Sequence, residues 1–341
     1  MSTNSRLAMV LLGLALLLGP CAASAQTVWR YSNWLPPTHP VSEGVVKVWA
    51  KQVEEATQGR VKIEVIAALG APPAHLDLER NGVADVAGIS AVYTAGRFTL
   101  LRGLEMPFLS DSNSAMSVAA QRTYEKFFAK ANEFEGVKLA GLALVGPNEV
   151  FTTKRQIRSI EDFKGLKLRE AGGITKEVAE LLGATPFFAP APQVYDALSK
   201  GVGDGVLFPP ESIPSFKLTG LVQYGVTVPG GFHQTAFAFI INEAKWQALS
   251  AADQAAISKL TGEHMSRLWG NLWDKTNADA IASMTKEGVK LEPASPPLLA
   301  EIHQRLASLE TQWVAEAAKK GVDGKAALEY MRAEVKALEK K

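Results

Sequence analysis

The chain has 341 residues, of which 47% are hydrophobic and 21% charged, with 36 Lys+Arg against 35 Asp+Glu. That length and composition support one large core or two smaller ones and exclude a disordered or fibrous protein. A net charge of +1, with basic residues scattered singly or in pairs, excludes the clustered Lys/Arg that a nucleic-acid backbone demands, and a lone cysteine, Cys21, excludes a disulfide framework or a Cys-based zinc site.

Residues 1–25 read as a cleavable export signal. A basic start ends at Arg6, an apolar run spans Leu7 to Leu18, and Ala23-Ser24-Ala25 precedes Gln26 as a small-residue cleavage site. Pro20, directly before Cys21, argues against acylation of that cysteine. No later segment approaches the ~20 apolar residues of a membrane span, so the expectation is a soluble, exported, periplasmic chain without cysteine.

Thr27 to Trp34 alternates as a strand does and runs into the turn-rich Pro36-Pro37-Thr38-His39-Pro40. Val45, Val46, Trp49, Ala50 and Val53 recur at helical spacing, Gly59 closes that helix, and Val61 to Val65 alternates again. Strand, helix, strand is the unit of a parallel sheet, in which loops at the strand C-terminal ends collect ligands. Further on, Asn81-Gly82-Val83-Ala84-Asp85-Val86 is echoed by Lys200-Gly201-Val202-Gly203-Asp204-Gly205-Val206, each after a short helical stretch, which fits two related lobes or coincidence equally. Leu139 to Val145 predicts a buried strand that Gly146-Pro147-Asn148 breaks before Phe151 resumes it. Leu166 to Arg169 predicts a strand ending at Arg169, then Gly172-Gly173 and a helix from Ile174 to Leu182. Ala236 to Ile241 is another buried strand. From the Ser250–Asp253 capping pattern to Lys286 there is no proline and two glycines, which predicts a single helix over 251–286, about 55 Å long and lying across both lobes, with Trp269, Leu272 and Trp273 as anchors. From Pro297 on, two amphipathic helices flank Gly321-Val322-Asp323-Gly324.

Most enzyme signatures are missing: there is no phosphate loop, H-E-x-x-H, G-x-S-x-G or G-x-G-x-x-G, and histidines 39, 75, 233, 264 and 303 never fall at i, i+4 spacing. One arrangement carries a mechanism. An arginine at the end of a strand, followed by Gly-Gly and a helix, brings a carboxylate-binding fork beside free helix N–H groups. Pairing of Arg169 with a structural glutamate is equally compatible with the spacing.

Asp162-Phe163-Lys164-Gly165-Leu166-Lys167-Leu168-Arg169, then Glu177 to Pro186, then Val194 to Gly205, strongly resembles the solute-binding proteins of TRAP (tripartite ATP-independent periplasmic) transporters of the dicarboxylate-receptor type. Thr57 to Val61, Gly82 to Asp85 and Asn242 to Trp246 extend the likeness over nearly the whole chain after residue 25. The resemblance implies an α/β, periplasmic binding protein-like fold: two α/β lobes joined by crossing strands and braced by a long helix. Lobe I is expected over 26–147 with 233–268, lobe II over 148–232 with 269–296, and C-terminal helices over 297–341. It further implies a monomeric receptor, not an enzyme, that closes on a small organic acid and delivers it to TRAP permease membrane subunits driven by an ion gradient. The family's ligand-binding arginine matches Arg169.

Departures from the family narrow the ligand. Phe208 stands where many relatives carry a ligand-bonding Asn, the acid and Trp of metal-dependent members are missing, and Asn148-Glu149-Val150-Phe151 replaces a second Arg. No cofactor or metal is therefore expected, and the expected ligand is an apolar or aromatic monocarboxylate. Trp34, Tyr93, Phe208 and Phe232 are the candidate walls, with Asn33 and Asn148 as polar contacts and Asp204 as a turn-forming residue. Two other readings remain: an exported enzyme using Asp204 or Glu211 as a base, and a partner that presents ligand to a membrane sensor.

Overall fold

The computed structural model describes residues 26–94 and 96–340; the expected export signal and Cys21 lie outside the described residues. Strand β1 (Thr27–Asn33) leads through a π turn into α1 (Lys47–Ala56) and then β2 (Val61–Ala67), which pairs parallel with β1. Val45, Trp49 and Val53 are buried, as their spacing predicts. Helix α2 (His75–Arg80) precedes β3 (Val86–Ser90), and α3 (Asn113–Thr123) precedes β4 (Val137–Thr152). A second parallel unit follows: β5 (Lys167–Glu170), α4 (Ile174–Leu182), β6 (Thr185–Phe188), α5 (Val194–Ser199), β7 (Gly205–Phe208), the short α6 (Ser212–Ser215) and β8 (Tyr224–Thr227). The strand order β2-β1-β3-β9-β4-β7-β5-β6 includes β9 (His233–Asn242), which returns antiparallel beside β3 and β4.

Lobe I is thus built on β1–β3 and β9, and lobe II on β5–β8. The echoed Gly-Val-x-Asp turns occupy equivalent places in the two. Asp85 donates its N–H to the Arg30 carbonyl and accepts the Arg30 N–H at Oδ2, 2.8 Å away. Asp204 does the same to Lys167, at 2.9 Å. Each carboxylate therefore ties the start of one strand to its parallel neighbour, at the end of the sheet remote from the strand C-termini. The enzyme reading of Asp204 loses its footing here.

Strand β4 is continuous where Gly146-Pro147-Asn148 was expected to break it. Pro147 sits in a register irregularity between Val145 and Asn148, where the ladder to β9 needs no N–H, and beyond it β4 exchanges β9 for β7 and β8. The strand crosses between lobes through this bulge. Alternate residues of β9 feed opposite cores: Phe237, Phe239 and Ile241 on one face, Ala236, Ala238 and Ile240 on the other.

After α7 (Glu243–Gln247), the expected single helix over 251–286 is two helices, α8 (Ala251–Ser258) and α9 (Glu263–Lys286), the latter about 36 Å long. Gly262 makes the break. At φ +59° it turns its N–H out of the helix to the Ala140 carbonyl, 2.7 Å away, while the Trp49 indole takes the Leu260 carbonyl at 3.0 Å. Helix α9 still runs from lobe I to lobe II, packing along α3 and β4 and ending at β10 (Lys290–Pro293), which pairs with β8. The tail holds three helices instead of two. Helix α10 (Pro296–Leu306) packs on α4 of lobe II; one residue, Ala307, separates it from α11 (Ser308–Lys319), which with α12 (Gly324–Leu338) packs on lobe I.

Candidate functional site between the lobes

The loops leaving β1, β3, β5 and β7 meet where parallel strands end, and between them lies a cavity of ≈ 60 Å³, counted as room for the centres of water-sized spheres. That is roughly four to six times what one water occupies by the same measure. Lobe I lines it with Trp34 and Tyr93, lobe II with Arg169 and Phe208, and the crossing elements with Asn148, Phe237, Trp269 and Trp273.

Arg169 is 1% exposed. Its Nε donates to the Ala189 carbonyl at 2.7 Å, Nη1 reaches the Leu207 carbonyl at 3.5 Å, and the guanidinium lies 4.3 Å from the centre of the Phe208 ring. Nη2 is buried without a hydrogen-bond partner, and among the described residues no carboxylate lies within ion-pair distance of this side chain. The neighbouring Glu170 carboxylate instead accepts the Gly172 N–H. Burial pushes the guanidinium below its ordinary pKa, against the opposing influence of the Tyr93 hydroxyl and Glu170. The structural-glutamate reading of Arg169 is therefore overturned, and a buried cation with both N–H groups of Nη2 free faces an apolar cavity. The strand continues one residue past it, to Glu170.

Helix α4 contributes less than its sequence suggests. The Thr175 and Lys176 N–H groups are already taken by the Gly172 and Gly173 carbonyls, although Thr175 itself lines the cavity. The Gly-Gly pair has another use: a Cβ on Gly172 would stand 2.5 Å from the Val92 carbonyl oxygen of lobe I, so glycine lets the lobes touch there. Tyr93 also crosses the gap, its hydroxyl accepting the Ala191 N–H at 3.0 Å. Trp34 is set by its indole N–H on the Gly88 carbonyl at 2.8 Å and by edge contact with Tyr93. Asn148 is buried, with its amide 3.3 Å from the Thr235 hydroxyl.

Two expected contacts are absent from the cavity wall. Asn33 turns back to its own loop, bonding Leu35 and the Ser42 hydroxyl, because its side chain stabilises the turn after β1. Phe232 is fully buried against Phe163 in a core cluster, on the far side of the strand start from the cavity residues. Conversely, Trp269, Trp273, Phe237 and Phe216 line the cavity without having been singled out for it. The i, i+4 spacing of the two tryptophans was the available signal: they stack at 5.6 Å, with Trp269 4.9 Å from Phe237.

Polar pairs hold the cleft edges. Arg102 of lobe I binds Glu177 of lobe II and, at 2.6 Å, Glu316 of α11. His39 faces Glu211 across the lobes at 3.4 Å; burial pushes the imidazole down to about 4 and the carboxyl up to about 7.

This geometry, two α/β lobes with a buried cationic fork over an aromatic cavity, defines a binding protein that encloses a small anion. The family model described as "Bacterial extracellular solute-binding protein, family 7" matches residues 31–317. The chain belongs to that family, the solute-binding proteins of TRAP transporters. A TRAP periplasmic solute-binding protein from Bordetella bronchiseptica, solved with bound (R)- and (S)-mandelate, is 39% identical with a TM-score of 0.90, over 92% of this chain and 99% of that one. A marine metagenome TRAP protein specific for aromatic acid ligands, solved with 3-hydroxybenzoate, is 31% identical with a TM-score of 0.85 over the same shares. A Comamonas testosteroni protein named outer membrane transporter protein TsaT is 29% identical over 324 residues, 93% of this chain and 95% of its own. Among the described residues no helix is long and apolar enough to cross a membrane.

Proposed function

We propose that this receptor captures an aromatic monocarboxylate in the periplasm and hands it, as a monomer, to an ion-gradient-driven permease. The observation that carries the reading is the unpartnered Arg169 Nη2, held at the wall of an otherwise aromatic cavity. A buried guanidinium without a counter-charge is costly, and a ligand carboxylate would offset that cost with a charge-assisted bond. Among the described residues only one such cation faces the cavity, which favours one carboxylate over two. Phe208 holds the guanidinium plane, Trp34, Tyr93 and the α9 tryptophans flank an aromatic ring, and Asn148 reads a second polar substituent. The acids bound by the mandelate and 3-hydroxybenzoate proteins support this chemistry.

Binding would shift an open–closed equilibrium, because the acid touches both lobes only when they meet. The test is calorimetry of the purified protein, without residues 1–25, against mandelate, 3-hydroxybenzoate and benzoate, with succinate and glucuronate as contrasts. Binding confined to the aromatic acids is the expected result. Preferential binding of succinate or glucuronate would overturn the reading.

A further inference from the structure

One buried polar pair stands between two hollows. His39, in the lobe I loop after β1, lines the central cavity. Glu211, after β7 in lobe II, lines a surface hollow of ≈ 440 Å³ whose other walls include Thr38 and Pro40 of the His39 loop and Thr276 of α9. Both side chains are 2% exposed, and Nε2 of His39 lies 3.4 Å from Oε1 of Glu211.

Each partner is fixed by its own surroundings. Nδ1 of His39 accepts the Val41 N–H at 3.2 Å, which assigns the ring proton to Nε2, facing the carboxylate. Among the described residues Nε2 makes no hydrogen bond inside its own lobe. Glu211 accepts the hydroxyls of Ser212, at 3.2 Å, and Ser215, while its backbone N–H donates to Oδ1 of Asn277 on α9 at 3.0 Å. Phe216 of lobe II packs against the imidazole at 5.7 Å. The two groups thus meet only through the approach of the lobes. Apart, water serves both; together without its partner, Nε2 of His39 would be buried without an acceptor, and Glu211 would keep only its serine hydroxyls.

We infer that His39 and Glu211 form the latch of the cleft, sealing the cavity from the outer hollow and setting how long a captured acid stays. The inference rests on the closure described under the proposed function and adds the residues that govern release. It differs from a purely structural role in one respect: the pair has no work to do in the open protein.

Stopped-flow tryptophan fluorescence with (R)-mandelate tests it, since Trp34, Trp269 and Trp273 line the cavity. His39→Leu and Glu211→Ala are each expected to raise the dissociation rate about tenfold with association changed less than about twofold, and the double variant to exceed the worse single by no more than about threefold. His39→Gln, which keeps a donor near the place of Nε2, is expected to stay within about threefold of the unaltered protein. The melting temperature of each ligand-free variant should hold. Unchanged dissociation in His39→Leu, multiplying effects in the double variant, or a loss of ligand-free stability that tracks the rate would each overturn the latch. If the unaltered protein responds to none of mandelate, 3-hydroxybenzoate and benzoate, the ligand reading fails separately. The latch is then decided by a nitroxide pair across the lobes of the ligand-free protein: a smaller closed fraction in His39→Leu upholds it, and an unchanged distance distribution sinks it.

Discussion

Arg122 and Arg169 carry the same guanidinium to different ends. Arg122, 31% exposed on α3, is met by three charge-assisted bonds: Nε and Nη2 on Glu263 at 2.8 and 3.0 Å, and Nη1 on Glu334 at 2.7 Å. Arg102 likewise has two glutamates. Arg169, far more buried, has backbone carbonyls, an aromatic face and an unpartnered Nη2. Arg122 and Arg102 find their carboxylates within the chain, whereas Arg169, on the function proposed above, leaves that place for the ligand. The contrast separates stability from affinity residue by residue.

The sharpest way to break that contrast is Arg169→Ala. It should weaken mandelate binding at least about 100-fold in calorimetry, on the scale of ~3 kcal/mol for losing one member of a buried charged pair, while the ligand-free melting temperature stays level or rises. A protein that binds normally, or fails to fold, would place Arg169 with Arg122. Gly172→Ala comes next. At φ +98° the added methyl strains the backbone and also meets the Val92 carbonyl across the cleft, so stability should fall and, by the ~1.4 kcal/mol of a modest overpacking, affinity about tenfold. Gly183→Ala, at φ +92° with no cross-lobe backbone nearby, is the control: it should lose stability and keep affinity.

Smaller effects follow from buried titrating groups. Burial raises Glu79 and Glu105 to about 8 from an ordinary 4.5, so the folded chain keeps protons that the unfolded chain releases; their stabilisation is complete below the unfolded value and lost as pH rises through 8. His233, lowered to about 4, acts oppositely, costing stability as pH falls from 6.5. Between pH 6.5 and 8 these carboxyls therefore act against the fold without that histidine, and the melting temperature should fall by a few degrees across that window, less steeply in Glu105→Gln. A flat profile would show that Glu105 is not buried as described. Arg122→Ala closes the series: about 0.2–1 kcal/mol of stability in denaturant titration, with unaltered ligand affinity.

Much of this was legible in advance where local pattern and tertiary demand agree. The β1–α1–β2 unit, the β9 strand and the α4 helix lie where periodicity puts them, and the two Gly-Val-x-Asp turns prove to be the same hydrogen-bonded device. The misses share a cause. Gly262 opens a new helix because its N–H is claimed by Ala140 on a remote strand, and Pro147 stays in a strand because a bulge there needs no donor. Neither partner is near in sequence. Phe232 and Asn33 occupy the expected chain positions but point into a core and a turn, since strand ends present two faces and pattern alone does not say which one meets the cleft.

Ala307 has a mechanical consequence. Among the described residues the chain passes between lobes at β4, β9, α9 and this single-residue joint between α10 and α11. Both described chain ends, β1 and α12, belong to lobe I. Lobe II is therefore a platform on four legs, suspended from a frame that holds the first and last described elements. Four connections, unlike one, oppose a free swivel of lobe II about any single crossing, so relative motion of the lobes has to bend all four together.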